Sequence, residues 1–439
     1  MDVLIGHPLT YARELRGWSQ TDLVAQMRKA AASRPEGLRT GADKTAVSRW
    51  ENWRKTPSAE SQLLIAEAFG VPPADLDLYP WPHWLPGRAD LLPLGSAYTV
   101  RALREAQRAS MERRNFMAFS AVALSGLSAQ WASLEPDRLT SSLDGRPVDT
   151  ELVDWLETTA AGLTSLPTER RQHTVKLMDA HLDTVTDLLE GGRYPQHLGI
   201  RLHALAARLA STCGWYRFDQ GKHHAAGVYW NAALTNAHAA DDRDAGAGVL
   251  ADFAYQSIWV GRPHAAVDPL TDALTRTSHP AARSLLHLRR ARAYAAAGAR
   301  AECYRDLTAA ETAITTDTGT PPPSWCSWMS PADLSVDAGQ CLLDLGNARE
   351  AHARIDEGLA LLPTSRDKTR AVFLLSQGRS LVKVGEIEQA SAVATQSLDL
   401  AERIGADRCV ALVREMAHDF APYRAEAGVD ELLERLRSA

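Results

Sequence analysis

Lys44, Thr45, Ser48 and Arg49 stand close together and are all of types that can read the edge of a base pair. Lys and Arg donate to guanine, the Thr methyl packs on the thymine methyl, and Ser serves either kind of edge. Helical spacing from Lys44 puts all four on an outward face and turns Val47 and Trp50 inward. Asn52, Arg54 and Lys55 follow at once, where a chain leaving a groove crosses the nucleic-acid backbone and neutralises phosphate. Gln20, at the start of the preceding helical pattern, is placed to reach a phosphate.

Short helices must carry these residues. Leu9 to Arg16 reads as a first helix. Ser19 is a good N-cap for a second, with Asp22 at the position where a carboxylate favours the helix dipole, and Asp43 caps a third. Residues 9–57 hold ten Lys/Arg against five Asp/Glu, whereas the whole chain carries a net charge of −6. A small basic reader attached to an acidic body accounts for that segregation. A helix pair of this kind can also serve protein contacts alone.

The stretch from residue 9 to about 78 resembles the lambda-repressor/Cro-like helix-turn-helix family, the XRE-type regulators. The resemblance is carried by Arg13, Ser19-Gln20, Leu23, Val47-Ser48-Arg49-Trp50-Glu51-Asn52, Pro57 and the run LLIAEAFGVPPADL. It implies base reading by Lys44, Thr45 and Arg49 with Ser48 nearby, and an internal ion pair between Arg13 and Glu51. The sequence departs from the family twice. The link between the second and third helices is about 13 residues longer, so RKAAASRPEGLRTGA lengthens the second helix or forms a loop. Trp53 stands where the family usually has Gly, which the left-handed exit from a helix favours.

The 439 residues suffice for two or three domains, and 45% hydrophobic with 23% charged residues is an ordinary globular balance. Five widely spaced Cys without a CxxC pair fit reduced thiols. MDVLIGHPLT shows no export signal, so a cytoplasmic location is expected. Arg113-Arg114-Asn115-Phe116-Met117 before AFSAVALSGLSAQWA imitates a twin-arginine signal, but lies far into the chain and is diluted by Ser, Gly and Gln. A buried core helix is the expectation, and no membrane contact.

The domain reading is a helix-turn-helix domain over 1–78, a Pro/Trp connector and linker helix over 79–115, and an all-α body over 116–439. Three prolines in YPWPHWLPG forbid a continuous helix there, and its Trp pair is expected to dock on a neighbouring domain. The body repeats. Turn glycines recur at Gly221, Gly261, Gly298, Gly346 and Gly385. Small residues fall seven before each (Gly214, Ala254, Ala291, Gly339, Gly378), five after (Ala226, Ala266, Cys303, Ala351, Ala390) and twelve after (Ala233, Ala273, Ala310, Gly358, Ser397). Antiparallel helices joined by a tight turn approach closely only where side chains are small. Spacings of 40, 37, 48 and 39 residues leave room for long helices and for a loop at Pro321-Pro322-Pro323. Residues 150–190 read as one more helix pair and 407–437 as closing helices.

This pattern resembles the tetratricopeptide repeat, with a period longer than its 34 residues, and implies an α-solenoid. By that resemblance the residue after each first small position points into a concave groove: Trp215, Tyr255, Arg292, Gln340 and Arg379. The competing reading makes these ordinary surface or inter-repeat packing. No catalytic signature, cofactor loop or metal site is found. Adjacent His223-His224 make a poor metal pair and are expected to be solvated, whereas Trp325-Cys326-Ser327-Trp328 is expected to pack inside.

An XRE-type reader joined to such a body resembles the peptide-responsive regulators of Gram-positive bacteria (Rap/NprR/PlcR/PrgX-like). The resemblance implies a cytosolic, homodimeric, non-enzymatic transcription regulator with no cofactor. Its body would bind a short peptide or small molecule and so change affinity for a two-half-site DNA operator. An interaction scaffold tethered to DNA, its repeats holding a protein partner, is the alternative.

Overall fold

A computed structural model describes residues 8–15, 18–32, 34, 41–52, 54–69, 71, 76, 81–82, 85, 94–111, 121–134, 146–165, 174–316 and 318–438. Two compact units divide the chain, Met1–Leu91 and Leu92–Ala439. Both are helical. Among the described residues the only strand pairing is two residues long, Arg146–Pro147 beside Gly192–Arg193 in parallel.

The first unit contains α1 (Pro8–Leu15), α2 (Gln20–Ala32), α3 (Lys44–Glu51) and α4 (Ala59–Phe69). Apolar faces at helical spacing meet in one core: Leu9, Leu23, Met27, Val47, Trp50, Leu64, Ile65 and Phe69 are buried together. The long link is partly explained, because α2 continues through Arg28 to Ala32. Arg34 then pairs with Glu67 on α4 at 2.7 Å. Trp53 and Arg39 lie outside the described residues. Leu85 is buried in this core and Trp81 packs against it. The connector expected over 79–115 is therefore divided between the two units. Its Trp81 end belongs with the first unit because a Trp and a Leu gain most by leaving water against an existing apolar core; Trp84 is outside the described residues.

The second unit begins with α5 (Thr99–Met111), the expected linker helix, which packs on α8 (Val175–Gly191) and α10 (His223–Ala239). Arg104 on α5 bridges Asp183 (2.9 Å), Asp187 and Glu190 (2.6 Å) on α8, and Asn236 Nδ2 on α10 donates to the Thr99 carbonyl at 3.3 Å. α6 (Ala121–Ser133) holds part of the apolar stretch that imitates an export signal. Leu124, Leu127 and Trp131 of this helix are buried. No helix of the described residues is long and apolar enough to cross a membrane. α7 (Thr150–Ser165) and α8 (Val175–Gly191) form the degenerate pair.

Five helix pairs follow: α9 (Gln196–Asp219) with α10 (His223–Ala239), α11 (Arg243–Trp259) with α12 (Val267–Leu274), α13 (Pro280–Ala296) with α14 (Arg300–Ile314), α15 (Pro331–Asp344) with α16 (Ala348–Leu361), and α17 (Asp367–Val384) with α18 (Ile387–Arg403). α19 (Asp407–Phe420) and α20 (Val429–Ser438) close the array over the apolar cluster of Leu375, Leu398, Val413 and Leu432. The five turn glycines all have positive φ, between 72° and 92°. In each turn the amide after the glycine donates back to the carbonyl five residues earlier: Lys222 to Arg217, Arg262 to Ser257, Ala299 to Tyr294, Asn347 to Leu342 and Glu386 to Leu381. That is the Schellman closure, which needs a left-handed residue at the glycine. The fifteen small positions are all buried. A Cβ on Gly358 would lie 2.4 Å from Val336 Cγ2 and 2.8 Å from the Ala332 carbonyl oxygen, so the crossing demands glycine there.

The excess over the standard repeat length is located. α9 is 24 residues long, and the widest spacing holds the loop around Pro321–Pro323. Within that loop Cys326 is fully buried and the Trp325 ring lies against Gly248, whereas Trp328 is 45% exposed; the expected inward packing holds for the first two only. His223 and His224 are half-buried rather than solvated: the first turn of α10 turns the His223 ring onto Phe218, with centroids 5.2 Å apart.

Candidate functional site

Two surfaces can bind something. The first is the outer face of α3. Asp43 caps the helix, its carboxylate accepting from the Ala46 amide at 2.7 Å. Ser19 and Asp22 cap α2 reciprocally, Asp22 taking the Ser19 amide at 2.8 Å and Ser19 Oγ taking the Asp22 amide at 3.2 Å. Hydrogen bonding from the Ser19 side chain, and then from the Ser19 amide, holds the Asp22 carboxyl below its usual range. Between the helices Arg13 Nε donates to Glu51 Oε1 at 2.7 Å, with both side chains under 10% exposed. Arg13 Nη1 also donates to the Trp18 carbonyl at 2.5 Å, so one guanidinium clamps the turn before α2 to the end of α3.

With Val47 and Trp50 in the core, Lys44, Thr45 and Arg49 are exposed and Ser48 is half-buried. Neither the Lys44 nor the Arg49 side chain has an ion-pair or hydrogen-bond partner among the described residues. Arg54 and Lys55 are exposed just beyond. Two assignments differ from expectation. Gln20 Nε2 donates to Glu51 Oε2 at 2.5 Å, so its amide completes the Arg13–Glu51 network instead of reaching outward. Glu51 has two oxygens to satisfy in a buried place, and Arg13 Nε reaches only one. Asn52 Nδ2 donates to the Ser48 carbonyl at 2.7 Å and closes the end of α3, although the residue remains exposed.

The second surface lies along the first helices of the pairs. α11, α13, α15, α17 and α19 each pack on the first helix before them. At one end Trp215 Nε1 donates to Asp252 Oδ2 at 3.0 Å and its ring meets Tyr255 at 5.6 Å. Arg289 Nη1 donates to the other Asp252 oxygen at 3.1 Å, and its guanidinium lies over the Tyr255 ring, 5.3 Å from the centroid. Further along, Arg292 and Gln340 converge on Asp344, at 4.0 and 3.1 Å. Arg379 is separate, 3.8 Å from Glu415 on α19. The array thus joins Trp215 to Tyr255 and Arg292 to Gln340, and leaves Arg379 apart from both.

Burial pushes the Asp252 carboxyl up, against the opposing pull of Arg289, Trp215 and Ser211; burial also raises Asp337, which has Arg292 nearby. Arg292 sits deep enough for desolvation to oppose its charge, and Asp344 with Asp337 more than restores it. The lining is therefore aromatic at one end and mixed cationic and anionic beyond it, with charges that water solvates poorly. It can hold an amphipathic molecule with both donor and acceptor groups. Asp252, Arg289 and Asp337 escaped the sequence reading. Each stands three residues before an expected groove position, on the same helical face, and that offset was the available signal.

No family model matches the chain, and no curated protein matches its sequence. Among solved structures it is similar to a Rap protein crystallised in complex with Competence and Sporulation Factor. The identity is 14%, the match covers 78% of this chain and 86% of that one, and the TM-score is 0.46. A likeness of that size bears on neither ligand nor activity.

Proposed function

We propose that this chain is a sequence-specific DNA-binding regulator, with α3 as the reading helix and the repeat body as the sensor of a signal. The observation that carries the reading is the division of labour on α3. Val47, Trp50 and Glu51 are consumed by the core and the ion pair, while Lys44, Thr45 and Arg49 face solvent with no structural task. A basic, rigidly capped helix with uncommitted base-matching side chains suits the major groove. Arg54 and Lys55 supply phosphate contacts at its end.

The signal is a short peptide or small molecule held along the first helices, where Trp215, Tyr255, Arg292 and Gln340 offer stacking, charge and amide hydrogen bonding. The protein acts in the cytoplasm as a homodimer on two half-sites, and the signal works by binding one arrangement of the two readers better than the other. No catalysis is proposed.

The test is a selection of genomic fragments by the purified chain, repeated with Lys44→Ala/Arg49→Ala. Wild type should enrich a shared sequence, and the double variant should lose it, at about 1–3 kcal/mol per lost base contact. Equal enrichment by both proteins would refute the assignment of the reading face.

A further inference from the structure

Arg408 does something that a simple repeat array gives no reason for. In a solenoid each repeat touches its neighbours. Arg408, on α19, instead reaches α9 and α11, across the positions of α13, α15 and α17. Its guanidinium lies 4.3 Å from the centroid of the Trp259 ring, 4.6 Å from Phe218 and 5.4 Å from Tyr255. Nη2 donates to the Tyr255 hydroxyl at 2.5 Å and Nη1 is 3.3 Å from Asp219 Oδ1. Lys368, at the start of α17, takes the other oxygen of the same Asp219. Trp259 also packs against the apolar cluster of the closing helices.

Three aromatic faces, a carboxylate and a phenol oxygen make a complete site for a planar cation. Arg408 Nε is buried without a hydrogen-bond partner among the described residues, so ring faces supply part of what that cation receives. Tyr255 belongs at once to this cage and to the groove, through its ring contact with Trp215.

We propose that Arg408 is a built-in occupant of a cation site at the aromatic end of the groove, and that with Lys368 it straps the repeat array closed through Asp219. A ligand presenting a guanidinium or ammonium group takes that end only by displacing Arg408, which frees α19 from α9 and α11. The consequence for signalling rests on reading the groove as a ligand site; the strap and the cage do not.

Hydrogen–deuterium exchange on the full chain tests both, with arginine amide as the probe. In Arg408→Ala, exchange within 250–259 and 407–416 should quicken about tenfold while 20–32 stays unchanged. Arginine amide should restore protection within 250–259 in that variant, where the cage is empty, at concentrations too low to displace Arg408 from the wild-type cage. Unchanged exchange in Arg408→Ala would show that the contact closes nothing, and failure of arginine amide to restore protection would show that the cage is no cation site. Should Arg408→Ala lose its helical circular dichroism, Asp219→Asn answers the first question, since it removes the shared anion and leaves the rings. Quickened exchange in the same segments supports the strap, and unchanged exchange overturns it. Neither readout depends on a signal molecule, so failure of the sensor reading would leave the result standing.

Discussion

Glu51 shows how one residue can be misread from its type alone. An acid on the α3 segment looks unsuited to DNA, yet its side chain is buried against Arg13 and Gln20. Removing one partner of a buried pair leaves the other uncompensated, at a cost of about 3–5 kcal/mol. Glu51→Leu should therefore melt the first unit at much lower temperature, and Arg13→Met/Glu51→Leu should recover most of the loss. A double variant as unstable as the single one, by thermal circular dichroism, would show that the loss does not come from leaving Arg13 uncompensated. Gln20→Ala should lower stability modestly and leave DNA affinity unchanged, because its amide is held by Glu51; a uniform loss of affinity across sequences would restore it as a phosphate contact. The Arg13–Glu51 pairing was implied by family resemblance. Gln20's part was not legible, since sequence shows that a residue can reach outward but not that a buried carboxylate claims it first.

At the scale of elements the glycines divide into two kinds. Gly358 is needed for space and Gly346, at φ 86°, for its backbone conformation. Gly358→Ala forces a methyl against Val336 and the Ala332 carbonyl and should cost about 1–3 kcal/mol. Gly346→Ala has open space and should cost about 1–2 kcal/mol through the left-handed backbone alone. Denaturant melts of both variants check the ordering. The docking of α5 depends on a polar contact. His203 Nδ1 meets Asn236 Oδ1 at 2.8 Å, and Asn236 holds the Thr99 carbonyl. Burial lowers the His203 pKa, partly offset by the Asn236 bond. Below the ordinary value of 6.5 the unfolded chain takes a proton that the folded one refuses, so this group's stability contribution falls as pH drops from 6.5 toward the depressed folded value. His203→Gln should flatten the loss of stability as pH falls below 6.5; an unchanged slope would place the titration elsewhere.

For the whole molecule, the two units carry separate cores, so calorimetry should resolve two transitions, with Glu51→Leu moving only one. A single transition shifted as a whole would mean the units unfold together. Local pattern settled much of this protein. The α3 face, the five turn glycines and the fifteen small positions were all legible, because each answers a constraint between residues a few places apart: helical period, left-handed turn, close crossing. The place of Trp81 and Leu85 in the first core, the sharing of Glu51 by Arg13 and Gln20, and the meeting of Asp219 with Lys368 and Arg408 were decided only by the tertiary structure. Those partners are 31 to 189 residues apart. No short-range period relates such positions; they meet because the packing angles of the intervening helices accumulate, and a small change in any one would carry the later residues past their partners.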